Sequence, residues 1–292
     1  MTLLQTIVDG VILGGFYALI AQGVALTFGV MRVVNLAHGE LMLVGAYLAW
    51  AFHEYLGLGI LVALPAALVV GYVVGWLVAR LAVLHVIERH ELMSLLLTFG
   101  LAFLIQGALI TAFTTTPRST PAFYSDVVWR PLGITVPVSR LVMLAGSLVI
   151  LACLAVFLYR TRSGRAMKAA AQNKEAARIV GIDVNSMYAR AFAIGAALAF
   201  GAGVLFSATQ AFTPNNGVVF TLKAFVIVVV GGVGRISGTV AAAVLVGLIE
   251  TALAAYVPDI GTGLGVAAAF VLVVVVLAVR RSSTLTPAGG HS

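Results

Sequence analysis

Charge is scarce in this sequence. Only 9% of its 292 residues are charged, whereas 62% are hydrophobic, and the mean hydropathy is +1.12. A soluble domain carries about 25% charged residues, which cover the surface that faces water. The scarcity therefore excludes a water-soluble globular protein and predicts a polytopic membrane protein.

Residue patterns for catalysis and metal binding are lacking as well. Cys153 is the only cysteine, so the chain can form neither an intramolecular disulfide nor a metal site with paired cysteine ligands. His38 and Glu40 are two positions apart, about 200° around a helix, so they cannot hold one metal ion as a pair. The glycine-rich stretch GGVGRISG (231–238) lacks the Gly-Lys-Ser/Thr ending of a phosphate-binding loop. We predict no catalytic residue, no metal site and no bound cofactor in this chain.

The uncharged stretches are long enough to cross a bilayer. They predict an all-α fold with about eight or nine transmembrane helices in a single domain, residues 1–292. The second, seventh and eighth helices are short or interrupted, which is typical of segments that line a pathway. The predicted helices span about residues 9–31, 36–53, 58–80, 92–113, 140–160, 189–211, 219–233, 237–257 and 261–279.

Basic residues outnumber acidic residues, 17 to 10, which gives the chain a formal charge of +7. In a membrane protein such an excess marks the loops that face the cytoplasm and does not indicate nucleic-acid binding. If the N-terminus lies outside, 13 of the 17 basic residues fall on the cytoplasmic side. The outer side then holds Arg118, Arg130, Arg140 and Lys223. The distribution predicts an outer N-terminus and a cytoplasmic C-terminus.

Ionisable residues inside the predicted helices are few. The candidates are Asp9, Glu40, Lys223 and Glu250, and most lie near helix ends, where their polar groups can reach the membrane surface. The chain lacks a series of carboxylates of the kind that relays protons. This pattern disfavours a proton-driven secondary transporter and favours energy supplied by a partner.

Two long loops differ in composition. The outer loop, about residues 114–139, is rich in proline, threonine and aromatic residues and predicts an extended lid, with Tyr124 and Trp129 near the membrane interface. The inner loop, about residues 160–187, has six basic and two acidic residues, and its alanine-rich part predicts a helix over residues 168–181. Two interpretations of the inner loop stay open. In the first, the loop is a basic anchor that fixes the topology. In the second, it is a helix whose small side chains let a cytoplasmic partner approach closely.

A cluster of polar residues interrupts the apolar sequence in the stretch VNLAHGELML. One interpretation is that Asn35 and His38 only cap the second helix. The other is that the cluster flanks the cytoplasmic mouth of a pathway, where Asn35 and His38 satisfy backbone groups at a helix break. Gly39 would then allow close packing, with Glu40 beside it.

A second turn, GGVGRISG, has similar features. Each turn contains one arginine, Arg32 or Arg235, and a glycine at the start of the next helix, Gly39 or Gly238. We therefore predict that both turns flank the same mouth. The glycines of the second turn in this prediction are Gly231, Gly232, Gly234 and Gly238.

Three segments together resemble one family of membrane proteins. They are GGFYALIAQGVALTFGVMRVVNLAHGELMLVGAYLA (14–49), RTRSGRAMKAAAQNKEAARIVGIDV (160–184) and LKAFVIVVVGGVGRISGTVAAAVLVGLIE (222–250). In this order they resemble permease subunits of the ABC importers for branched-chain amino acids and for related polar amino acids and amides. The third segment departs from the family pattern GGxGSxPGAxxGG at Arg235, Ser237 and Ala242-Ala243.

The resemblance implies a multi-pass permease of the bacterial inner membrane, surrounded by lipid and without a nucleic-acid partner. The implied partners are a second homologous permease, two ATP-binding subunits that bind ATP and magnesium, and a periplasmic solute-binding protein. Two alternatives stay open. One is an importer permease for urea, short amides or sugars, and the other, of a different class, is an autonomous channel or secondary transporter.

The resemblance also gives the inner loop a role. Its Glu-Ala-Ala sequence, followed by a glycine, matches the coupling loop that sits in a groove of the ATP-binding subunit in that family. The residues implied in this coupling are Arg165, Lys168, Glu175, Ala176, Ala177, Arg178 and Gly181.

Overall fold

The computed structural model describes residues 3–87, 91–121, 127–130, 133–256 and 271. The prediction of an all-α fold is confirmed, since the only strands in this part of the chain are the two-residue β1 (Val128–Trp129) and β2 (Val136–Pro137). The helices are α1 Leu3–Met31, α2 His38–Leu56, α3 Ile60–Val78, α4 Leu84–Val86, α5 Glu91–Phe113, α6 Val138–Arg160, α7 Arg162–Gln172, α8 Lys174–Ile179, α9 Val184–Ser207, α10 Gly217–Gly231 and α11 Ile236–Tyr256. A π-helical turn, Ala79–Val83, joins α3 to α4, and a 3₁₀ turn, Pro214–Asn216, precedes α10.

Seven helical segments in the described residues are long and apolar enough to cross a membrane. They are Leu3–Met31, Ile60–Val86, Leu92–Phe113, Val138–Arg160, Val184–Ser207, Pro214–Gly231 and Ile236–Tyr256. The ninth predicted helix, 261–279, lies outside the described residues except for residue 271.

The two long loops lie at opposite ends of the helix bundle. At one end, which we call the hairpin end, β1 and β2 pair antiparallel, Arg118 forms a bridge with Phe212, and Gln5 donates a hydrogen bond to the carbonyl of Thr135. At the other, which we call the basic end, a cavity of about 440 Å³ is lined by α7 and α8 together with Met31 and Ile87. The chain therefore crosses between these two ends in α1, α5, α6 and α9.

Glycines let the central helices touch backbone to backbone. A β-carbon on Gly14 of α1 would overlap the α-carbon of Val244 in α11, and one on Gly203 of α9 would overlap the carbonyl of Met42 in α2. Small residues of this kind are the main device by which helices pack in lipid, where no hydrophobic force presses them together. As a result α9 is enclosed by α1, α2 and α3, and its side chains are buried along most of its length.

The helix α2 does not begin at the basic end. The Nε2 atom of His38 lies 3.1 Å from the carbonyl oxygen of Ile20, which is eleven residues before α1 ends at Met31. At 1.5 Å per residue, α2 therefore begins about 16 Å inside the end of α1. Residues 32–37 run back into the bundle, so the prediction that His38 to Glu40 lie in a turn at the cytoplasmic end is wrong. Residues 32–37 contain Arg32 and Asn35, polar residues that are typical of a turn at the membrane surface, so composition alone did not reveal their depth.

The inner loop forms two helices where one was predicted over residues 168–181. The chain breaks at Asn173, whose side-chain oxygen accepts hydrogen bonds from the backbone N–H groups of Glu175 and Ala176, each 3.0 Å long. Asparagine favours such a cap over a helix interior, because its side chain replaces the missing helical acceptor. Gly181 ends the following turn with a φ of +81°, a conformation that suits glycine.

Candidate functional site

The starts of α2 and α10 meet inside the bundle. We call residues 34–40 together with residues 213–221 the helix-start junction. The backbone N–H of Gly39 donates a 2.8 Å hydrogen bond to Oγ1 of Thr221, and this hydroxyl lies 3.3 Å from the carbonyl oxygen of Leu36. Thr221 thus ties the first turn of α2 to α10.

Polar side chains satisfy the backbone on the α2 side of the junction. The Asn35 side chain accepts a 3.1 Å hydrogen bond from the N–H of Ala37. The Thr98 hydroxyl of α5 donates a 3.0 Å hydrogen bond to the carbonyl of Val34. Non-helical backbone at membrane depth is tolerated only where such partners, or water, replace the helical hydrogen bonds.

The α10 side of the junction has its own capping residues. Thr213 and Asn216 form a reciprocal capping box around Pro214, with the side-chain oxygen of Asn216 2.7 Å from the N–H of Thr213. Proline suits this first position because its fixed φ matches a helix and its missing N–H would have no partner there. The predicted start of this helix, residue 219, was too late. The sequence Thr-Pro-Asn-Asn at 213–216 is a recognisable helix start that the prediction did not use.

The two helices leave the junction in opposite directions. α2 runs to the hairpin end, where the ring of Trp50 lies 3.8 Å from the guanidinium carbon of Arg118. α10 runs to the basic end, where Val233 and Gly234 lie against Gly29, near the end of α1. Helices that start near the middle of the membrane and point in opposite directions are typical of transporter substrate pathways.

Glu40 is the unusual member of the junction. Its side chain is almost fully buried and lies against the α-carbon of Gly217, the first residue of α10. Neither carboxylate oxygen has a hydrogen-bond partner among the described residues. The start of a helix carries a partial positive charge, so the beginning of α10 offers this carboxyl a favourable local field. The prediction that such residues reach the membrane surface is wrong for Glu40.

The second predicted turn lies elsewhere. Gly231 and Gly238 touch each other's backbone at the basic end, and Gly232 and Gly234 have φ values of +86° and +80°. The structure therefore does not pair this turn with the stretch from Asn35 to Glu40. The partner of that stretch is the beginning of α10.

Two further acid–base pairs lie within the bundle. Asp9 is buried and forms a 3.0 Å ion pair with Arg140. Lys223, which was predicted on the outer surface, is 7% exposed and forms a 2.7 Å ion pair with Glu250. That prediction is wrong, because a partner on the next helix keeps the ammonium group inside.

The inner loop presents a mixed surface at the basic end. Ile179 and Val180 are 86% and 73% exposed, unusually high for apolar residues outside a membrane span. Ala177, which the sequence suggested as a contact for a partner, is buried against its own chain, whereas Ala176 and Arg178 are exposed. Of the other implied coupling residues, Glu175, Arg165 and Gly181 are exposed, and Lys168 lies over the ring of Tyr159.

Residues 6–281 match the family model described as the permease component of the branched-chain amino acid transport system. The chain belongs to this family. The permease protein LivH of Escherichia coli K12, of the high-affinity branched-chain amino acid transport system, is 30% identical over 295 residues, covering 97% of this chain and 95% of LivH. BraD of Pseudomonas aeruginosa, also named as such a permease protein, is 28% identical over 85% of each chain.

A second kind of relative matches as well. The permease protein LivM of Salmonella typhimurium is 29% identical over 78% of this permease and 59% of LivM. No solved structure matches the chain. The resemblance drawn from the three sequence segments is confirmed, and the protein is a multi-pass transport permease.

Proposed function

We propose that this permease is the membrane subunit of an ATP-driven ABC importer for branched-chain or related amino acids. The observation that carries the proposal is the family match over residues 6–281. The relatives LivH and BraD support the solute class, because both are named for branched-chain amino acid transport and align with most of this chain. In this proposal the chain binds no nucleotide, and partner subunits bind ATP and magnesium and perform the hydrolysis.

The permease works in this proposal beside a second, homologous permease. LivH and LivM are two permease proteins of one named transport system, and both match this chain. A periplasmic solute-binding protein delivers the amino acid. The helix-start junction lies on the translocation path, since α2 and α10 run from it toward opposite ends of the bundle.

The coupling loop, residues 162–183, receives the ATP-binding subunit through the exposed side chains of Ile179 and Val180. The same loop is connected to the interior in two ways. The Asp183 side chain caps α9 by accepting a 3.1 Å hydrogen bond from the N–H of Ser186. In addition, α7 and α8 share a cavity wall with Met31, which leads into the residues running back to the junction.

The proposal is tested in liposomes containing the permease, its partner permease and the ATP-binding subunits, with the binding protein added. ATP-dependent accumulation of leucine that stops when the ATP-binding subunits are omitted supports an importer. Accumulation driven by an ion gradient without those subunits would support a secondary transporter instead. Urea, a short amide and a sugar serve as competing solutes, and uptake of one of these in place of leucine would change the solute class.

The proposed orientation places the hairpin end in the periplasm and the basic end in the cytoplasm, consistent with the basic residues of the coupling loop. We expect single cysteines at Ser119 and at Asn185, both exposed and introduced with Cys153→Ser, to react from opposite sides of the inner membrane. A membrane-impermeant maleimide added to intact cells should label only the Ser119 position. Labelling of both positions in intact cells would contradict the topology, and labelling of Asn185 alone would invert it.

A further inference from the structure

A charged cluster joins three helices at the level of the middle of α1. Lys223 of α10 donates 2.7 Å hydrogen bonds to Oε1 of Glu250 on α11 and to the hydroxyl of Tyr17 on α1. The Tyr17 hydroxyl donates in turn to Oε2 of Glu250 over 2.9 Å. Lysine and glutamate are costly inside a membrane and mark functional sites when they occur there.

The cluster forms one wall of a cavity of about 150 Å³. The other walls are apolar and mainly aromatic, and Gln210 also lines the cavity. Phe16 and Phe206 are stacked with ring centroids 5.7 Å apart, and Phe220 meets Phe206 edge-on at 4.9 Å. The cavity therefore offers opposite charges at one side and an aromatic surface at the other.

A second cavity, of about 240 Å³, shares Glu250 and Gln210 with the first. It is lined further by Asp9 and Arg140, the other ion pair of the bundle. The side chain of Glu250 is 20% exposed and lines both cavities. A solute arriving from the hairpin end meets polar groups before it reaches the aromatic walls.

An ion pair whose only role is to hold helices together adds little stability in the interior of a membrane protein. Removing two charges from water costs about as much as their attraction returns, so an apolar pair of similar volume holds helices equally well. An ion pair beside an apolar cavity can instead bind a ligand that carries both charges. A zwitterion can insert between the two charges, and each charge then exchanges its partner for one of the ligand's groups without being left unpaired.

We propose that Lys223, Tyr17 and Glu250 form a binding site for a zwitterionic α-amino acid with an apolar side chain. The ligand carboxylate replaces Glu250 as the partner of Lys223 and accepts a hydrogen bond from Tyr17. The ligand ammonium group binds Glu250, and the side chain lies against Phe16, Phe206 and Phe220. The inference rests on the proposed function for its solute class and adds a selective site within the permease itself. Urea, amides and sugars carry no such pair of charges.

The test uses the purified complex of the permease with its partner permease and ATP-binding subunits, without the solute-binding protein. In the Cys153→Ser background, Gln210→Cys places a thiol at the cavity, and Ser119→Cys places a control thiol on the exposed loop. We expect leucine to slow modification of the Gln210 position by a methanethiosulfonate reagent at least about threefold and to leave the Ser119 position unaffected. Leucinamide, which lacks the carboxylate, and 4-methylpentanoate, which lacks the ammonium group, should not protect.

A double variant separates binding from a structural role. Lys223→Met with Glu250→Gln removes both charges at nearly constant volume, so the helices should still assemble. We expect this variant, in the complete transporter, to lose leucine uptake by about tenfold or more, because two charge-assisted contacts to the ligand are gone. Protection of the Gln210→Cys thiol by leucine should disappear with it.

Several results would overturn the inference. They are undiminished uptake or protection in the double variant, equal protection by all three compounds, and no protection by leucine in a complex that transports leucine. A parent complex that accumulates no amino acid, with the binding protein and ATP present, would instead overturn the proposed function.

Discussion

The variant Gly39→Leu is expected to abolish uptake and to lower the amount of folded permease several-fold. Even a β-carbon at this position would overlap the carbonyl oxygen of Gly217 and approach Oγ1 of Thr221. Overpacking a core costs about 1–3 kcal/mol when side chains can yield. Here the obstacle is backbone, so the start of α10 must move and the hydrogen bond from Gly39 to Thr221 is lost. Uptake and the amount of monodisperse permease in detergent are the measurements.

Gly100→Leu is the matched control, since a β-carbon on this α5 glycine meets no atom within 4 Å. It introduces the same side chain into a helix and should leave the folded amount near that of the parent. His38→Ala should be intermediate, because it removes one contact with the Ile20 carbonyl and leaves the α2–α10 packing in place. Normal uptake at normal abundance in Gly39→Leu would contradict the close approach at the helix-start junction.

The double variant Ile179→Asp with Val180→Asp is expected to release the ATP-binding subunit. Both side chains are largely exposed, and burying a branched apolar side chain at an interface contributes about 1.5–3 kcal/mol. Losing both contacts should weaken association at least about a hundredfold. The permease should still insert into the membrane, because the coupling loop lies outside the bundle. The measurements are co-purification of the ATP-binding subunit in mild detergent and solute-stimulated ATP hydrolysis.

Asn185→Asp is the control for charge, since it adds a carboxylate to an exposed position close to the coupling loop. It should retain the ATP-binding subunit. Ala177→Trp is a poor test of docking, although the alanine-rich sequence suggests it, because Ala177 is buried in the permease and tryptophan would displace α8 itself. Full retention of the ATP-binding subunit by the Ile179/Val180 variant would contradict the docking role. The loop would then serve only to fix the topology.

The long helices could be predicted where charge marks their ends. The predicted 92–113 and 140–160 differ from Glu91–Phe113 and Val138–Arg160 by no more than two residues. The same rule failed for α9, which was predicted to begin at 189. That helix begins at Val184, because Asp183 caps it and Arg190 lies within it, hydrogen-bonded to Ser163.

The polar residues of the site could be found from the sequence, but their depth and partners could not. Asn35, His38 and Glu40 stand out in an apolar chain, yet nothing local reports that residues 32–37 turn back into the bundle. The contact of Glu40 with Gly217 joins positions far apart in the chain, so it depends on the packing of all the helices between them. Lys223 and Glu250 were recognised as intramembrane charges, and only the structure placed them together.

The glycine contacts that enclose α9 also determine how force can travel through the permease. Helices locked backbone to backbone cannot slide past one another without separating, so α9 is stiff along its axis. It is 24 residues long, or about 36 Å. At one end its cap, Asp183, belongs to the coupling loop, and at the other the carbonyl of Ser207 accepts a 2.8 Å hydrogen bond from the N–H of Thr120 in the hairpin-end loop. If the coupling loop binds an ATP-binding subunit as proposed, we expect α9 to transmit a displacement of that subunit to the hairpin-end loop.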